Sequence, residues 1–103
     1  MPINSKNSIF ELLSSNADRV RRFGVTRIGL FGSFVRGEAG EESDVDVLVE
    51  FQPERKTFDN FIGLATFLEG LFHRRVELVT PQSLSPYLGP RILEQVEYAA
   101  LDT

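Results

Sequence analysis

Two aspartates and a Gly-Ser pair have the types and spacing in this chain that point to chemistry. Asp44 and Asp46 stand one residue apart in the run "DVDVLVEF". On a strand, both side chains leave the same face, ~7 Å apart along the backbone at ~3.3 Å per residue. Two carboxylates that close raise each other's pKa unless a cation neutralises them. No Lys or Arg lies next to them in sequence. A small set of hard oxygen ligands suits Mg²⁺, which takes one or two carboxylates and fills its shell with substrate phosphates and water. That is the layout of metal-assisted phosphoryl or nucleotidyl transfer, in which two ions ~3.5–4 Å apart clamp the attacking and leaving oxygens. The competing reading is a pair of capping or solvated strand-end residues.

Gly32-Ser33 follows the apolar run "VTRIGLF". Glycine lets the backbone approach a ligand closely. A short helix starting at Ser33 would present free N–H groups and a hydroxyl to an anion. Arg36 lies one turn further on, in reach of the same phosphates. A plain turn is the competing reading. Neither pair is specific alone. Phosphate on one side and metal on the other, within one frame from Gly32 to Asp46, are much harder to dismiss.

Such a site needs elements to carry it. Ser8 and Glu11 form an S-x-x-E capping box. Leu12, Leu13, Ala17, Val20 and Phe23 then recur at helical spacing, which predicts a helix over residues 9–23. Arg19, Arg21 and Arg22 suit its C-terminal dipole, and Gly24 is placed to stop it. Residues 25–31 and 44–51 read as strands, the second with Val45, Val47 and Val49 alternating and Pro53 ending it. Residues 57–72 read as a helix capped by Thr57. Residues 74–80 read as a third strand stopped by Pro81, and a last helix is entered at Pro90 as its first residue. Strands separated by helices predict an α/β fold, a small mixed β-sheet with helices packed on it, in a single domain over residues 1–103.

Composition narrows the function classes. The 103 residues are 42% hydrophobic and 25% charged, an ordinary globular balance. Lys plus Arg number 11 and Asp plus Glu 15, so the net charge is 11 − 15 = −4. An acidic chain is a poor candidate for gripping a nucleic-acid backbone by charge. There is no Cys, hence no disulfide frame and no thiolate metal site. The apolar runs are too short to span a bilayer, and the polar start "MPINSKNS" does not read as a signal peptide. A cytoplasmic location is the expectation.

Gly32-Ser33, ten residues, then Asp44-x-Asp46 resembles the G-S-x10-D-x-D signature of the DNA polymerase beta-like nucleotidyltransferases. The fuller string "FGSFVRGEAGEESDVDVLVEF" is similar to their minimal (MNT) branch. The resemblance runs from the first helix through the third strand. It implies a palm-type fold and a Mg²⁺-dependent protein adenylyltransferase with ATP as substrate, with two ions expected. It further implies an antitoxin that moves AMP to a tyrosine of a HEPN-domain ribonuclease toxin and so silences it. Carried over position by position, Gly32, Ser33 and Arg36 would bind the nucleotide phosphates. Asp44 and Asp46 would be catalytic metal ligands. The family's third carboxylate, an Asp in the next strand, falls on Glu77 in "RRVELV". The longer Glu reaches ~1.5 Å further and serves equally as ligand or base elsewhere. This departure sustains a second reading, an inactive nucleotidyltransferase-like antitoxin that blocks the toxin by binding alone. A free-standing enzyme acting on a small molecule or an RNA end is a third, and the acidic charge counts against its RNA form.

Three features remain. The loop Gly37–Ser43, "GEAGEES", reads as a solvated connector, or else a lid. His73, beside Arg74 and Arg75 at a helix end, reads as a dipole partner, and "HRR" offers a nucleotide contact as the alternative. The helix over residues 57–72 has two apolar stripes, Phe58, Ile62, Ala65 and Phe72 in one and Leu64, Phe67 and Leu71 in the other. It is therefore either clamped on two sides or carries a partner surface on which Phe67 would be exposed.

Overall fold

A computed structural model describes residues 5–101; most of the polar start, Met1–Asn4, lies outside the described residues. The chain forms α1 (Lys6–Ser15), α2 (Ala17–Arg22), β1 (Val25–Phe31), α3 (Ser33–Arg36), β2 (Val45–Phe51), α4 (Phe58–Phe72), β3 (Val76–Val79), α5 (Gly89–Gln95) and β4 (Glu97–Tyr98). Single 3₁₀ turns at Pro53–Arg55 and Pro81–Ser83 follow β2 and β3. The sheet order is β3-β2-β1-β4. β1 pairs antiparallel with β2 and β4, while β2 pairs parallel with β3. A parallel neighbour requires a crossover, and α4 supplies it. The mixed sheet with helices is the predicted architecture.

The period-two pattern of β2 sorts its faces. Val45, Val47 and Val49 are fully buried in the core with Ile28 and Leu30 of β1. Ile9 and Leu13 of α1, Ala17 and Val20 of α2, and Leu64, Leu68 and Phe72 of α4 close over them. Asp46 therefore points to the other face of the sheet.

The N-terminal helix differs from the prediction. It begins at Lys6, because Ser5 rather than Ser8 is the cap: the Ser5 hydroxyl accepts from the Ser8 N–H at 3.3 Å. It also breaks. The Asn16 side-chain amide donates back to the Leu12 carbonyl at 2.8 Å, and its own N–H does so at 3.1 Å. Asparagine competes in this way with the helical ladder, and α2 starts afresh at Ala17. The other boundaries shift slightly. β2 begins at Val45, β3 at Val76, and α5 at Gly89 with Pro90 second. Thr57 caps α4 as expected, accepting from the Asn60 N–H at 3.1 Å. The two-residue β4 is too short to leave a pattern in the sequence.

The two stripes of α4 are mostly clamped. Phe67 packs on the core with its ring 5.8 Å from that of Phe23, and Phe61 lies 6.4 Å from Phe51. The surface reading of Phe67 is thereby corrected. The outward apolar residues of α4 are Phe58 and Ile62, near its start. Truncating the crossover's core should be costly. Leu64→Ala is expected to lose about 2–5 kcal/mol of stability in denaturant titration, with little change in the site at the other sheet face.

Candidate active site

Antiparallel pairing sets Phe31, the last residue of β1, opposite Asp46 of β2. The next residue, Gly32, then lies directly over that carboxylate. A Cβ at Gly32 would stand 2.0 Å from Asp46 Oδ2 and 2.9 Å from its Cγ. Gly32 also has φ 76° and ψ −149°, a conformation that side-chain-bearing residues avoid. Two independent constraints thus demand glycine at this position. The expected short helix does start at Ser33, and its Arg36 N–H bonds the Gly32 carbonyl at 3.1 Å.

Parallel pairing sets Glu77 of β3 opposite Asp46 on the other side. Asp44 lies just before β2. Asp46 is half-buried, while Asp44 and Glu77 are exposed. Burial pushes the Asp46 carboxyl up to about 6. The neighbouring charge of Glu77, a hydrogen bond shared with it, and the charge of Asp44 push the same way, and Arg36 pulls it back. Glu77, Asp44 and Arg36 thus each act on Asp46, and Gly32 lies against it. Ser33, half-exposed, opens the turn beside them.

Other side chains fix this arrangement. Arg74 Nη1 donates to the carbonyls of Gly40 and Ser43 at 2.9 and 2.8 Å, and its guanidinium lies 5.0 Å from the centre of the Phe34 ring. The segment leading into Asp44 is thereby strapped to the start of β3. The loop Gly37–Ser43 is a fastened connector rather than a lid. His73 closes α4 in a left-handed conformation, φ 55°, with its N–H on the Glu69 carbonyl at 2.9 Å. Arg36 donates through Nε to Glu38 Oε1 at 2.5 Å and through Nη1 to Gln95 Oε1 at 3.4 Å. Neither Arg74 nor Gln95 was identifiable from local sequence, since both act across strands that pair only in the fold. A cavity of about 370 Å³ lies between the start of α1 and α3, lined by Lys6, Asn7, Phe34 and Arg36 among others.

Among the described residues, no three His, Cys, Asp or Glu side chains form a ready-made metal cage. The donor chemistry nonetheless suits a hard divalent cation. It offers carboxylate oxygens, and the half-buried one, Asp46, has its pKa raised to about 6 by burial and by the neighbouring Glu77 and Asp44. Mg²⁺ characteristically takes one or two carboxylates and completes its shell with substrate phosphates.

Fold and site together describe a nucleotidyltransferase, and the chain belongs to the nucleotidyltransferase domain family, whose profile matches residues 13–99. Within it, the chain is 42% identical over 99 residues to the protein adenylyltransferase MntA of Thermococcus cleftensis, covering 95% of this chain and 99% of that protein. A solved structure of a minimal nucleotidyltransferase superposes with a TM-score of 0.70 at 37% identity, over 85% of this chain and 93% of that one. A toxin–antitoxin structure with AMP-PNP superposes with a TM-score of 0.61 at 30% identity, over 89% and 69%.

Two outcomes are expected from this geometry. Gly32→Ala should cost more than the ~1–3 kcal/mol of backbone strain alone, because the methyl also collides with Asp46; thermal unfolding checks it. Asp46 holds its proton more tightly when folded, about 6 against 3.8. Its contribution to stability is therefore full below about pH 4 and is lost as pH rises through about 6. In metal-free buffer, Asp46→Asn should become the more stable protein as the pH is raised across that window. A stability difference that stays flat from about pH 4 to about pH 7 in denaturant titrations would contradict the assignment.

Proposed function

We propose that this chain is an antitoxin that transfers AMP from ATP to a tyrosine hydroxyl of a HEPN-type ribonuclease toxin and so neutralises it. The observation that carries the reading is the seating of Gly32 on Asp46. It joins a phosphate-binding turn and an acidic cluster into one site. The identity to a protein adenylyltransferase across nearly the whole chain supports the reaction. The likeness to a toxin–antitoxin structure holding an ATP analogue supports the substrate and the kind of partner. Use of ATP and of such a toxin fits a cytoplasmic protein, and no helix among the described residues is long and apolar enough to cross a membrane.

In this reading the Gly32-Ser33 turn and Arg36 hold the triphosphate. Asp44, Asp46 and Glu77 would hold Mg²⁺, two ions being the number expected. Bound there, the metal would supply charge neutralisation on the phosphate oxygens. Glu77 takes the proton of the tyrosine hydroxyl. The phenolic oxygen forms a bond to the α-phosphorus, the bond from that phosphorus to the bridging oxygen breaks, and pyrophosphate leaves with its charge on Arg36. The protein's contribution is mainly position and electrostatics, as in other phosphoryl transfers. Glu77 stands level with Asp46 across the parallel pair and helps to raise its pKa. The glutamate in place of the usual aspartate thus reaches the site, which favours an enzyme over an inactive binding module.

The test is the intact mass of a co-expressed HEPN partner after incubation with this protein, ATP and Mg²⁺. The expected outcome is a gain in units of one AMP, abolished by Asp44→Ala, by Asp46→Ala and by chelation with EDTA. Glu77→Gln should slow the transfer by about 10²-fold or more. No gain in mass, with the partner bound and its ribonuclease blocked, would establish the binding module instead.

A further inference from the structure

Gln95 ends α5 at the point where the chain turns into β4, far from the Gly-Ser motif in sequence. Its side-chain oxygen accepts from the Gly32 N–H at 2.9 Å and from Arg36 Nη1 at 3.4 Å. Both donors demand an acceptor, so the amide must turn its oxygen toward them. Its Nε2 then faces the Arg91 carbonyl at 3.4 Å, which sets the same orientation from behind. One oxygen therefore ties together the backbone of the turn and the guanidinium that faces Asp46.

The placement of Gln95 is itself supported. β4 pairs with β1 at Gly29 and Leu30, and the Ala99 N–H bonds the Ile28 carbonyl at 2.9 Å. A Cβ at Gly29 would stand 2.8 Å from the Glu97 carbonyl oxygen, so β4 lies this close only because residue 29 has no side chain. Lys6 Nζ holds the Glu97 carboxylate at 3.0 Å and fixes the same short strand to the start of α1.

We infer that Gln95 is a positioning residue for nucleotide binding: it holds the Gly32 peptide and Arg36 in the arrangement that receives the triphosphate. The inference rests on the nucleotidyltransferase reading of the site. Gly32 is the cap of α3, and its N–H on Gln95 fixes the orientation of the peptide that leads from β1 into the turn. Arg36, gripped by Glu38 on Nε and Gln95 on Nη1, keeps its remaining donors for phosphate. A long, exposed arginine held in advance loses less conformational freedom on binding than a mobile one.

The test measures AMP-PNP affinity by calorimetry in the presence of Mg²⁺, alongside AMP transfer to the toxin. Gln95→Met keeps the length of the side chain and removes the acceptor. It should weaken AMP-PNP about tenfold, the effect of losing one hydrogen bond to a charged group, when measured well below the unfolding transition, which the unpaired Gly32 N–H itself lowers by a few degrees. In an Arg36→Ala background the same change should cost clearly less, because part of its action passes through that arginine. Gly29→Ala, which displaces β4 and Gln95 with it, should weaken AMP-PNP without touching either residue. Unchanged affinity in Gln95→Met, or full additivity with Arg36→Ala, would overturn the role while leaving the nucleotidyltransferase reading intact. A wild-type protein that binds no AMP-PNP and labels no toxin would overturn both.

Discussion

The contact between Gly32 and the Asp46 carboxylate is the constraint around which the rest of the site is built. It lets the end of β1 come within van der Waals reach of the start of β2 at the position where a charged group must also fit. Any side chain at Gly32 would collide with Asp46 Oδ2, and the backbone there is one that glycine alone adopts freely. The antiparallel register of Phe31 with Asp46 and the parallel register of Glu77 with Asp46 then follow as two halves of one arrangement. The sheet order is what allows both. β2 lies between an antiparallel and a parallel neighbour, so a single residue of β2 meets the phosphate turn on one side and a third carboxylate on the other.

That arrangement leaves Asp46 short of charge compensation. Burial and two acidic neighbours raise its pKa, and the single cation acting on it, Arg36, is shared with Glu38 and Gln95. A cluster with this imbalance is less stable than the fold would otherwise allow, and the imbalance is of the kind that a bound cation removes. Perturbed carboxylates concentrate at working sites for this reason. The structural part of the molecule is ordered differently. The valines of β2 and the leucines of α4 bury an entirely apolar layer on the opposite face, where no such compromise is needed.

What the sequence made legible divides along the same line. β1, β2 and α4 were legible because periodicity, caps and breakers agreed there; Gly32, Ser33, Asp44 and Asp46 stood out because their spacing is set within one hairpin, whereas Glu77, across the α4 crossover, was picked out only through the family resemblance. Long-range and locally competitive features were not. Ser5 displaced Ser8 as the cap because two serines compete within one turn, and the break at Asn16 depends on one side-chain amide choosing the Leu12 carbonyl. Phe67 could be read as either clamped or exposed because its stripe lies off the main one; the Phe23 ring that packs against it comes from another element. Gln95 and Arg74 carry no motif, and their roles exist only once β4 and β3 have joined the sheet.

The openness of the site explains how so short a chain can host a group transfer. Asp44 and Glu77 are exposed, and the described fold sets no further layer over them. Electrostatic catalysis gains strength when water is excluded. A small-molecule enzyme would need its own walls for that. A protein substrate brings them. On the proposed reaction, the surface around the toxin's tyrosine covers the carboxylates as the hydroxyl arrives, so docking and desolvation are one event. The exposed apolar residues of α4, Phe58 and Ile62, lie near the start of that helix, at the end of the sheet away from the site, because α4 leaves from the far end of β2 and returns to the near end of β3. They are therefore poorly placed to seat the acceptor. The flank bearing α5 and β4 is better placed, since Gln95 already links it to the Gly-Ser turn.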